Sequence, residues 1–268
     1  MFITRLLSGI VLVAAAIVLL YFGNIWLAAV LGILSLIGNY ELLRVFKLEK
    51  EPFALVAYLS TIAHYVLMYL GLMRWFPALI VLETIVLLVI YVARYPKYKI
   101  DAVAKVCFTT YYVGFLLSYI YQVRVLEAGR WLVWLIIIGA WGSDTCAYVV
   151  GKLIGKRHFS ELSPKKTIEG CAGGVIGAAL IALIFSFFFP FENMFLFSPK
   201  IVFPAVALVS ALISQCGDLA ASAIKRNYDV KDYGNIIPGH GGVLDRFDSV
   251  IFVAPFVYYL LVLCSYIG

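Results

Sequence analysis

Long runs of apolar residues, separated by short polar stretches, cover most of this 268-residue chain. A helix needs about 20 apolar residues to cross the hydrocarbon core of a bilayer, because each residue adds about 1.5 Å. Nine segments meet this requirement: 6–22, 25–43, 53–73, 75–93, 102–123, 131–150, 170–190, 202–224 and 250–267. The pattern therefore predicts an all-α fold, a polytopic membrane bundle of about nine transmembrane helices.

The composition agrees with a membrane protein. The chain is 64% hydrophobic and 13% charged, whereas soluble domains are about half apolar. Arg5 precedes an apolar run that resembles a signal peptide, but the eight runs that follow favour a first membrane helix. The five cysteines show no CxxC or Cys/His spacing, so we interpret them as small buried residues and not as metal ligands.

The basic residues indicate an orientation. The formal net charge is +6, but the Lys and Arg residues lie in short loops, where they suit lipid headgroups and not nucleic acid. With nine helices, 17 of the 21 Lys and Arg residues fall on the N-terminal side of the membrane. Positive loops stay in the cytoplasm. We therefore expect a protein of the inner or plasma membrane with a cytoplasmic N-terminus. Two loops rich in polar and charged residues, 151–169 and 225–249, should lie on that same face.

These loops suggest a division of labour along the chain. We expect residues 1–130 to form packing and lipid-facing helices, and residues 131–268 to carry the chemistry. The helix between the loops has Gly170/Gly174 and Gly173/Gly177, each pair four residues apart. Such pairs let membrane helices approach closely. They fit internal packing and homodimer contacts equally well.

The segment 222–248 concentrates acids, bases and glycines. Asp245 and Asp248 are three residues apart, so one helical turn directs both carboxylates the same way. Mg²⁺ binds through one or two carboxylates and keeps other positions for water and phosphate. Gly241 and Gly242 allow backbone N–H groups to approach an anion. His240 suits a phosphate contact, a proton shuttle or a structural hydrogen bond.

Four acids fall within or near membrane helices. Asp218 shares one helix face with Ser214 and Ser222, a polar stripe that more often lines a cavity than faces lipid. For two other acids, Glu41 and Glu83, a structural role and a functional role are equally expected. The fourth acid is Asp144, between Ser143 and Thr145. In the other loop, Ser163, Lys165, Lys166 and Thr167 precede a helix start, which is a favourable phosphate site.

The segment 222–248 resembles the signature of the phosphatidate cytidylyltransferases, also called CDP-diacylglycerol synthases, without departure. The matching residues are Ser222, Ile224, Lys225, Arg226, Lys231, Asp232, Gly234, Ile237, Pro238, His240, Gly241, Gly242, Val243, Asp245, Arg246, Phe247 and Asp248. Shorter similarities occur around 143–148, 163–170 and 217–218. The motif-level resemblance thus covers about 141–249, whereas the N-terminal half is similar only as a run of apolar helices.

The resemblance implies that CTP and phosphatidic acid react to give CDP-diacylglycerol and pyrophosphate, with Mg²⁺ or a two-cation centre. On this hypothesis Asp218, Asp245 and Asp248 hold metal, and Asp144 is a metal ligand or supports one. The groups expected to bind triphosphate or pyrophosphate are Lys225, Arg226, Lys231 and Arg246. The groups expected to bind substrate are Ser163, Lys165, Lys166, Thr167, Ser222, His240, Gly241 and Gly242.

Two other functions remain open at this point. A CTP-dependent lipid kinase acting on a polyprenol-type alcohol would need similar groups but would release CDP. An ion-coupled transporter would use Asp144 and Asp218 to coordinate an ion. The transporter is disfavoured because no inverted repeat is visible and the polar residues crowd one face of the membrane.

Overall fold

The computed structural model describes residues 2–160, 162–190, 194–237, 239 and 241–266, with only the backbone for 2–8, 10, 12, 164, 165 and 266. Counting 3₁₀ and π turns as parts of helices, nine helices form in the described residues. They are α1 (Phe2–Phe22), α2 (Asn24–Val45), α3 (Pro52–Tyr69), α4 (Met73–Ala93), α5 (Ile100–Arg124), α6 (Gly129–Ile154), α7 (Ile168–Ser186), α8 (Pro199–Asn227) and α9 (Leu244–Tyr266).

The predicted membrane architecture is confirmed. Helices α2 to α9 are each long and apolar enough to cross a membrane, and α1 contains a shorter apolar stretch among its described residues, Val13–Phe22. Helix α4 illustrates a lipid-facing span, since Val81, Val89 and Val92 are more than half exposed. A helix that is apolar on all sides and exposed is stable in hydrocarbon and not in water.

The structure differs from the prediction in the two polar loops. Helix α9 begins at Leu244 and not at residue 250, so Asp245 and Asp248 lie within it. The other loop contains a small antiparallel hairpin, β1 (His158–Ser160) and β2 (Ser163–Thr167). Hydropathy could reveal neither feature, because both segments are polar and their structure depends on hydrogen bonds.

The chain forms two compact units. The first comprises Met1–Tyr121 and Tyr228–Arg246, and the second comprises Gln122–Asn227 and Phe247–Gly268. The first unit therefore contains α1 to most of α5, the connection 228–243 and the opening turn of α9. The second contains α6, the hairpin, α7, α8 and the rest of α9.

The first unit combines an apolar core with buried polar pairs. Leu43, Phe53 and Leu87 are fully buried in a cluster that joins α2, α3, α4 and α5. Towards the middle of the helices, Asn39 donates a hydrogen bond to Thr61 at 2.7 Å. Side-chain hydrogen bonds between helices contribute to packing in lipid, where apolar side chains gain little from leaving the solvent.

The second unit is organised around close packing of α7 on α6. An added Cβ at Gly177 would lie 2.5 Å from Sγ of Cys146, and one at Gly173 would lie 2.5 Å from Val150. A Cβ at Gly174 would lie 2.9 Å from the carbonyl oxygen of Ser143. The glycines predicted to permit close approach do so, and they serve packing within the unit.

Candidate active site

A pocket of about 400 Å³ opens in the second unit. Four elements line it: α6, β2, α7 and α8. Its polar lining consists of Asp144, Lys152, Ser163, Lys166, Thr167, Gln215 and Asp218. Five of these residues were predicted as site residues from three separate segments of the sequence, and the fold brings them to one cavity.

The central contact of the pocket is a salt bridge between Lys166 and Asp218. Nζ of Lys166 lies 2.6 Å from Oδ2 of Asp218, and the two side chains are only 24% and 27% exposed. Burial on its own would lower the pKa of Lys166, but the charge of Asp218 and its hydrogen bond to the lysine outweigh burial, so the pKa is raised above 10.5. Lys166 therefore stays a cation at physiological pH, and Asp144 adds to its stabilisation.

The hairpin delivers Lys166 to this position. Strand β2 ends at Thr167, whose Oγ1 accepts a hydrogen bond from the N–H of Gly170 at 3.1 Å and so caps α7. Glu169, in the first turn of α7, accepts hydrogen bonds from the N–H groups of Lys156 and Arg157. Thr167 thus lines the pocket and fixes the helix start at the same time.

Asp144 reaches the pocket from α6. A π-helical turn, Ile138–Gly142, precedes the α-helical segment that begins at Ser143. Such a turn rotates the residues that follow it and is frequent at functional sites. Within it, Gly139 faces α8, since an added Cβ would lie 2.5 Å from Cβ of Ser210. The wide turn thus lies directly before Asp144, in a part of α6 that packs closely against α8.

Asp248 belongs to the same group of charges. Asp248 is 9% exposed. The negative charges of Asp218 and Asp144 repel its carboxylate, whereas the positive charge of Lys225 attracts it. Helix α8 approaches α9 closely here, because a Cβ at Gly217 would lie 3.0 Å from the carbonyl oxygen of Asp248. The second unit therefore gathers three predicted carboxylates that interact through their charges.

The other predicted residues of this unit lie on α8. Ser222 and Lys225 are half-buried and Arg226 is exposed. Ser214, at the start of the predicted polar stripe, is fully buried, and among the described residues its hydroxyl oxygen has no hydrogen-bond partner. The stripe is present as predicted, but its polar face becomes more buried towards the middle of α8.

The remaining predicted residues belong to the first unit. Oδ2 of Asp245 accepts hydrogen bonds from the N–H groups of Tyr233 at 2.8 Å and Gly242 at 3.0 Å. Gly241 has a φ of +83°, a conformation that favours glycine. Asp245 thus closes the connection 228–243 on itself, and the N–H of Gly242 is occupied by a carboxylate of the chain.

Further predicted residues lie at the edge of this connection or outside the description. Lys231 and Arg246 are exposed in the first unit. His240 lies outside the described residues, and so does the side chain of Lys165. Their predicted roles stay predictions.

Sequence reasoning missed several residues. Lys152 and Gln215 line the pocket, and Nε2 of Gln215 donates a hydrogen bond to the carbonyl oxygen of Cys171 at 2.9 Å. Lys152 lies in a glycine-flanked segment whose spacing does not fit a P-loop. The sequence does not distinguish a structural from a functional role for Glu41. In the structure it is 1% exposed and accepts hydrogen bonds from the N–H groups of Val243 and Leu244.

The residues of the second unit fit a divalent cation. No group of three or more His, Cys, Asp or Glu side chains in the described residues forms a ready-made metal cage. Mg²⁺ does not require one, since it keeps several waters and binds through one or two carboxylates. Asp144 and Asp218 line one pocket, and both repel Asp248. A bound cation would offset that repulsion.

Comparison with known proteins gives a consistent result. Residues 3–264 match the model of a family described as the cytidylyltransferase family. The chain is 42% identical over 170 residues to a phosphatidate cytidylyltransferase of Bacillus subtilis, an alignment that covers 63% of this chain and 61% of the relative.

Two further relatives carry the same name. The protein of Rickettsia felis is 43% identical over 140 residues, which cover 51% of this chain and 61% of the relative. The protein of Synechocystis sp. is 42% identical over 123 residues, which cover 46% of this chain and 40% of the relative. The chain therefore spans less than two thirds of the length of each of these relatives.

Proposed function

Because the chain belongs to the cytidylyltransferase family, we propose that it transfers a cytidylyl group from CTP to phosphatidic acid. The products are CDP-diacylglycerol, a precursor for phospholipid synthesis, and pyrophosphate. The observation that carries the proposal is the pocket in which a protonated lysine meets two carboxylates, Lys166 with Asp218 and Asp144. The relatives named phosphatidate cytidylyltransferase supply the substrate class.

The proposed reaction does not require a covalent intermediate with the protein. A phosphate oxygen of the lipid attacks the α-phosphorus of CTP, a new P–O bond forms, and the bond to the β-phosphate breaks to release pyrophosphate. The attacking phosphate is already an anion, so no activated Ser or Cys is required. The protein must align two anionic substrates and neutralise their crowded charge.

The charged residues of the second unit suit this task. Lys166 is a cation held at a fixed place by Asp218, where it would bind a phosphate oxygen. Lys225 lies within electrostatic range of Asp248 and would bind triphosphate or pyrophosphate together with Arg226. Lys231 and Arg246 are exposed in the first unit, and phosphate binding by these two residues stays a prediction.

In the second unit, we assign metal binding to Asp218 and Asp248, with Asp144 as a further oxygen donor. Oδ2 of Asp245, in the first unit, accepts two backbone hydrogen bonds, and its role as a metal ligand stays a prediction. Mg²⁺, or a pair of cations, held by these carboxylates would neutralise negative charge on the phosphates of the substrates. The carboxylates then serve to hold cations at a defined place. We further propose that the site faces the cytoplasm, where CTP is available, and that the lipid reaches it from the membrane.

A direct assay tests this function. The purified protein in detergent, given CTP labelled at the α-phosphate, Mg²⁺ and phosphatidic acid, should form a labelled CDP-lipid and pyrophosphate. Chelation of Mg²⁺ should abolish the product. Release of CDP instead of pyrophosphate would indicate a lipid kinase. Absence of turnover by the intact protein with several phosphatidic acids would refute the proposal.

Variants connect the activity to the pocket. Asp218→Asn and Asp248→Asn should each lower kcat at least about 100-fold, or about 2.7 kcal/mol, since each removes a charge that would hold metal. Asp101→Asn is the matched control, because Asp101 also forms a salt bridge, with Lys105 at 3.0 Å, on a helix of the first unit. Near-normal turnover of both pocket variants would remove these residues from the metal site.

A further inference from the structure

Glu41 on α2 connects two parts of the first unit that are about 200 residues apart in sequence. Its carboxylate oxygens accept hydrogen bonds from the N–H of Val243 at 3.0 Å and the N–H of Leu244 at 2.9 Å. Helix α9 begins at Leu244, so Glu41 occupies its N-terminus. A carboxylate is favourable there, because the first N–H groups of a helix lack partners within the helix and carry partial positive charge.

Two glycines make room for this carboxylate. An added Cβ at Gly242 or at Gly234 would collide with Oε1 of Glu41. Neither glycine has a positive φ, so the backbone conformation does not demand glycine at these positions. Space for Glu41 is therefore the physical reason for glycine at both.

The same end of α2 holds the other side of the connection. Arg44 lies one helical turn after Glu41, and its Nη2 donates a hydrogen bond to the carbonyl oxygen of Tyr233 at 2.6 Å. The N–H of Tyr233 in turn donates to Oδ2 of Asp245 at 2.8 Å. Glu41, Arg44 and Asp245 thus hold Tyr233 and residues 242–244 through backbone hydrogen bonds.

We propose that Glu41 is a positioning residue for the reaction: by accepting two backbone hydrogen bonds at the start of α9, it holds the turn 242–245 in its working conformation. The inference rests on the proposed function for its effect on turnover, but not for its effect on structure. Asp245 lies in the turn itself, and Asp248 follows one turn later on the same helix. Glu41 contacts backbone groups and acts on the reaction through these residues.

The contact with Glu41 gives the glycine-rich segment a structural role. Its sequence suggested backbone N–H groups that are available to bind a substrate phosphate. In the structure, Glu41 occupies the N–H groups of Val243 and Leu244, and Asp245 occupies that of Gly242. The glycines then permit a tight contact with a carboxylate of the chain itself.

The first experiment uses Glu41→Gln. The variant keeps the size of the side chain but replaces one carboxylate oxygen by an NH₂ group. That group cannot accept a hydrogen bond from the backbone N–H of Val243 or Leu244. We expect kcat to fall at least tenfold while KM for CTP and for phosphatidic acid changes less than about threefold. Hydrogen exchange at Val243 and Leu244 should become faster. Glu83→Gln is the control, since Glu83 is also buried on a membrane helix and pairs with Thr110 and Ser60.

The second experiment tests the contact itself. Gly242→Ala should be strongly harmful when residue 41 is Glu and much less harmful in the Glu41→Ala background, where the added methyl group no longer collides. If a substrate phosphate demanded glycine, the loss would be the same in both backgrounds. Gly32→Ala on α2 is the control, because its Cβ would meet Tyr65 at an ordinary 3.5 Å.

The outcomes separate this inference from the proposed function. Should the intact protein make no CDP-lipid, the proposed function fails, but hydrogen exchange and the thermal stability of the glycine variants still decide where Glu41 acts. Should Glu41→Gln fail to fold, hydrogen exchange at Val243 and Leu244 in Gly242→Ala, with Glu41 intact, carries the test: it should become faster, and wild-type exchange would overturn the inference. The inference is overturned if Glu41→Gln retains kcat within twofold and wild-type exchange, or if the two substitutions add independently.

Discussion

At the residue scale, the Lys166–Asp218 salt bridge lines the pocket and is also expected to stabilise the fold. Both partners are about three-quarters buried, so removal of one leaves the other charge poorly solvated. The pair between Lys105 and Asp101 has a similar distance, 3.0 Å, but Asp101 is 58% exposed. Water already screens an exposed pair of this kind, and its net contribution is small.

This contrast gives a prediction for stability. In a double-mutant cycle with Lys166→Met and Asp218→Asn, thermal unfolding in detergent should give a coupling free energy of about 1–2 kcal/mol. The same cycle with Lys105→Met and Asp101→Asn should give about 0.3–0.5 kcal/mol. Equal coupling energies in the two cycles would contradict the argument from burial.

The pH dependence of this coupling follows from the pKa of Lys166. That pKa is raised above 10.5 in the folded protein. A raised lysine pKa stabilises the fold fully below the unfolded value, and the contribution is lost as pH rises through the folded value. The coupling energy should therefore stay constant between about pH 6 and pH 9. A loss of coupling energy near neutral pH would show that Lys166 is not protonated in the folded protein.

The sequence revealed the pocket residues better than it revealed Glu41. Asp144, Lys166 and Asp218 stand out as charges beside apolar runs, and that contrast is visible in a single sequence. Glu41 also stands out as a buried acid near a helix end, but its partners, Val243 and Leu244, offer only backbone N–H groups. No side-chain pattern marks such partners, so the contact could not be predicted.

At the element scale, apolar length predicts a helix well and its ends poorly. All nine predicted segments correspond to helices of the described chain. The start of α9 was missed because residues 244–248 are largely charged and the helix start is capped by Glu41, a residue of α2 that is distant in sequence. The hairpin β1–β2 was missed because its residues show no alternation of apolar and polar positions.

The packing of α7 on α6 gives a prediction at this scale. Gly177→Val should destabilise the protein by about 1–3 kcal/mol, because the new side chain has no space beside Cys146. Ala172→Val is the control, since Ala172 is exposed on the same helix. Thermal unfolding of both variants in detergent measures the difference. If the two variants have the same melting temperature, α7 does not pack closely on α6 at Gly177.

At the scale of the whole molecule, the charge pattern and the fold address different questions. The membrane helices establish an integral membrane protein, and two compact units divide the chain. Which side of the membrane each loop faces follows only from the charges. Of the 21 Lys and Arg residues, 17 lie in loops or near helix ends that an even number of spans separates from the N-terminus, and these share one face. That face should be cytoplasmic.

Sealed membrane vesicles test the orientation. CTP does not cross a bilayer, so in inside-out vesicles, which expose the cytoplasmic face, added CTP should yield CDP-lipid at once. In right-side-out vesicles the same CTP should yield almost none until detergent permeabilises them, when the two preparations should reach equal activity. The detergent step controls for the amount of active protein. If intact right-side-out vesicles turn over CTP as fast as inside-out ones, the site faces the other side and the positive loops do not set the topology.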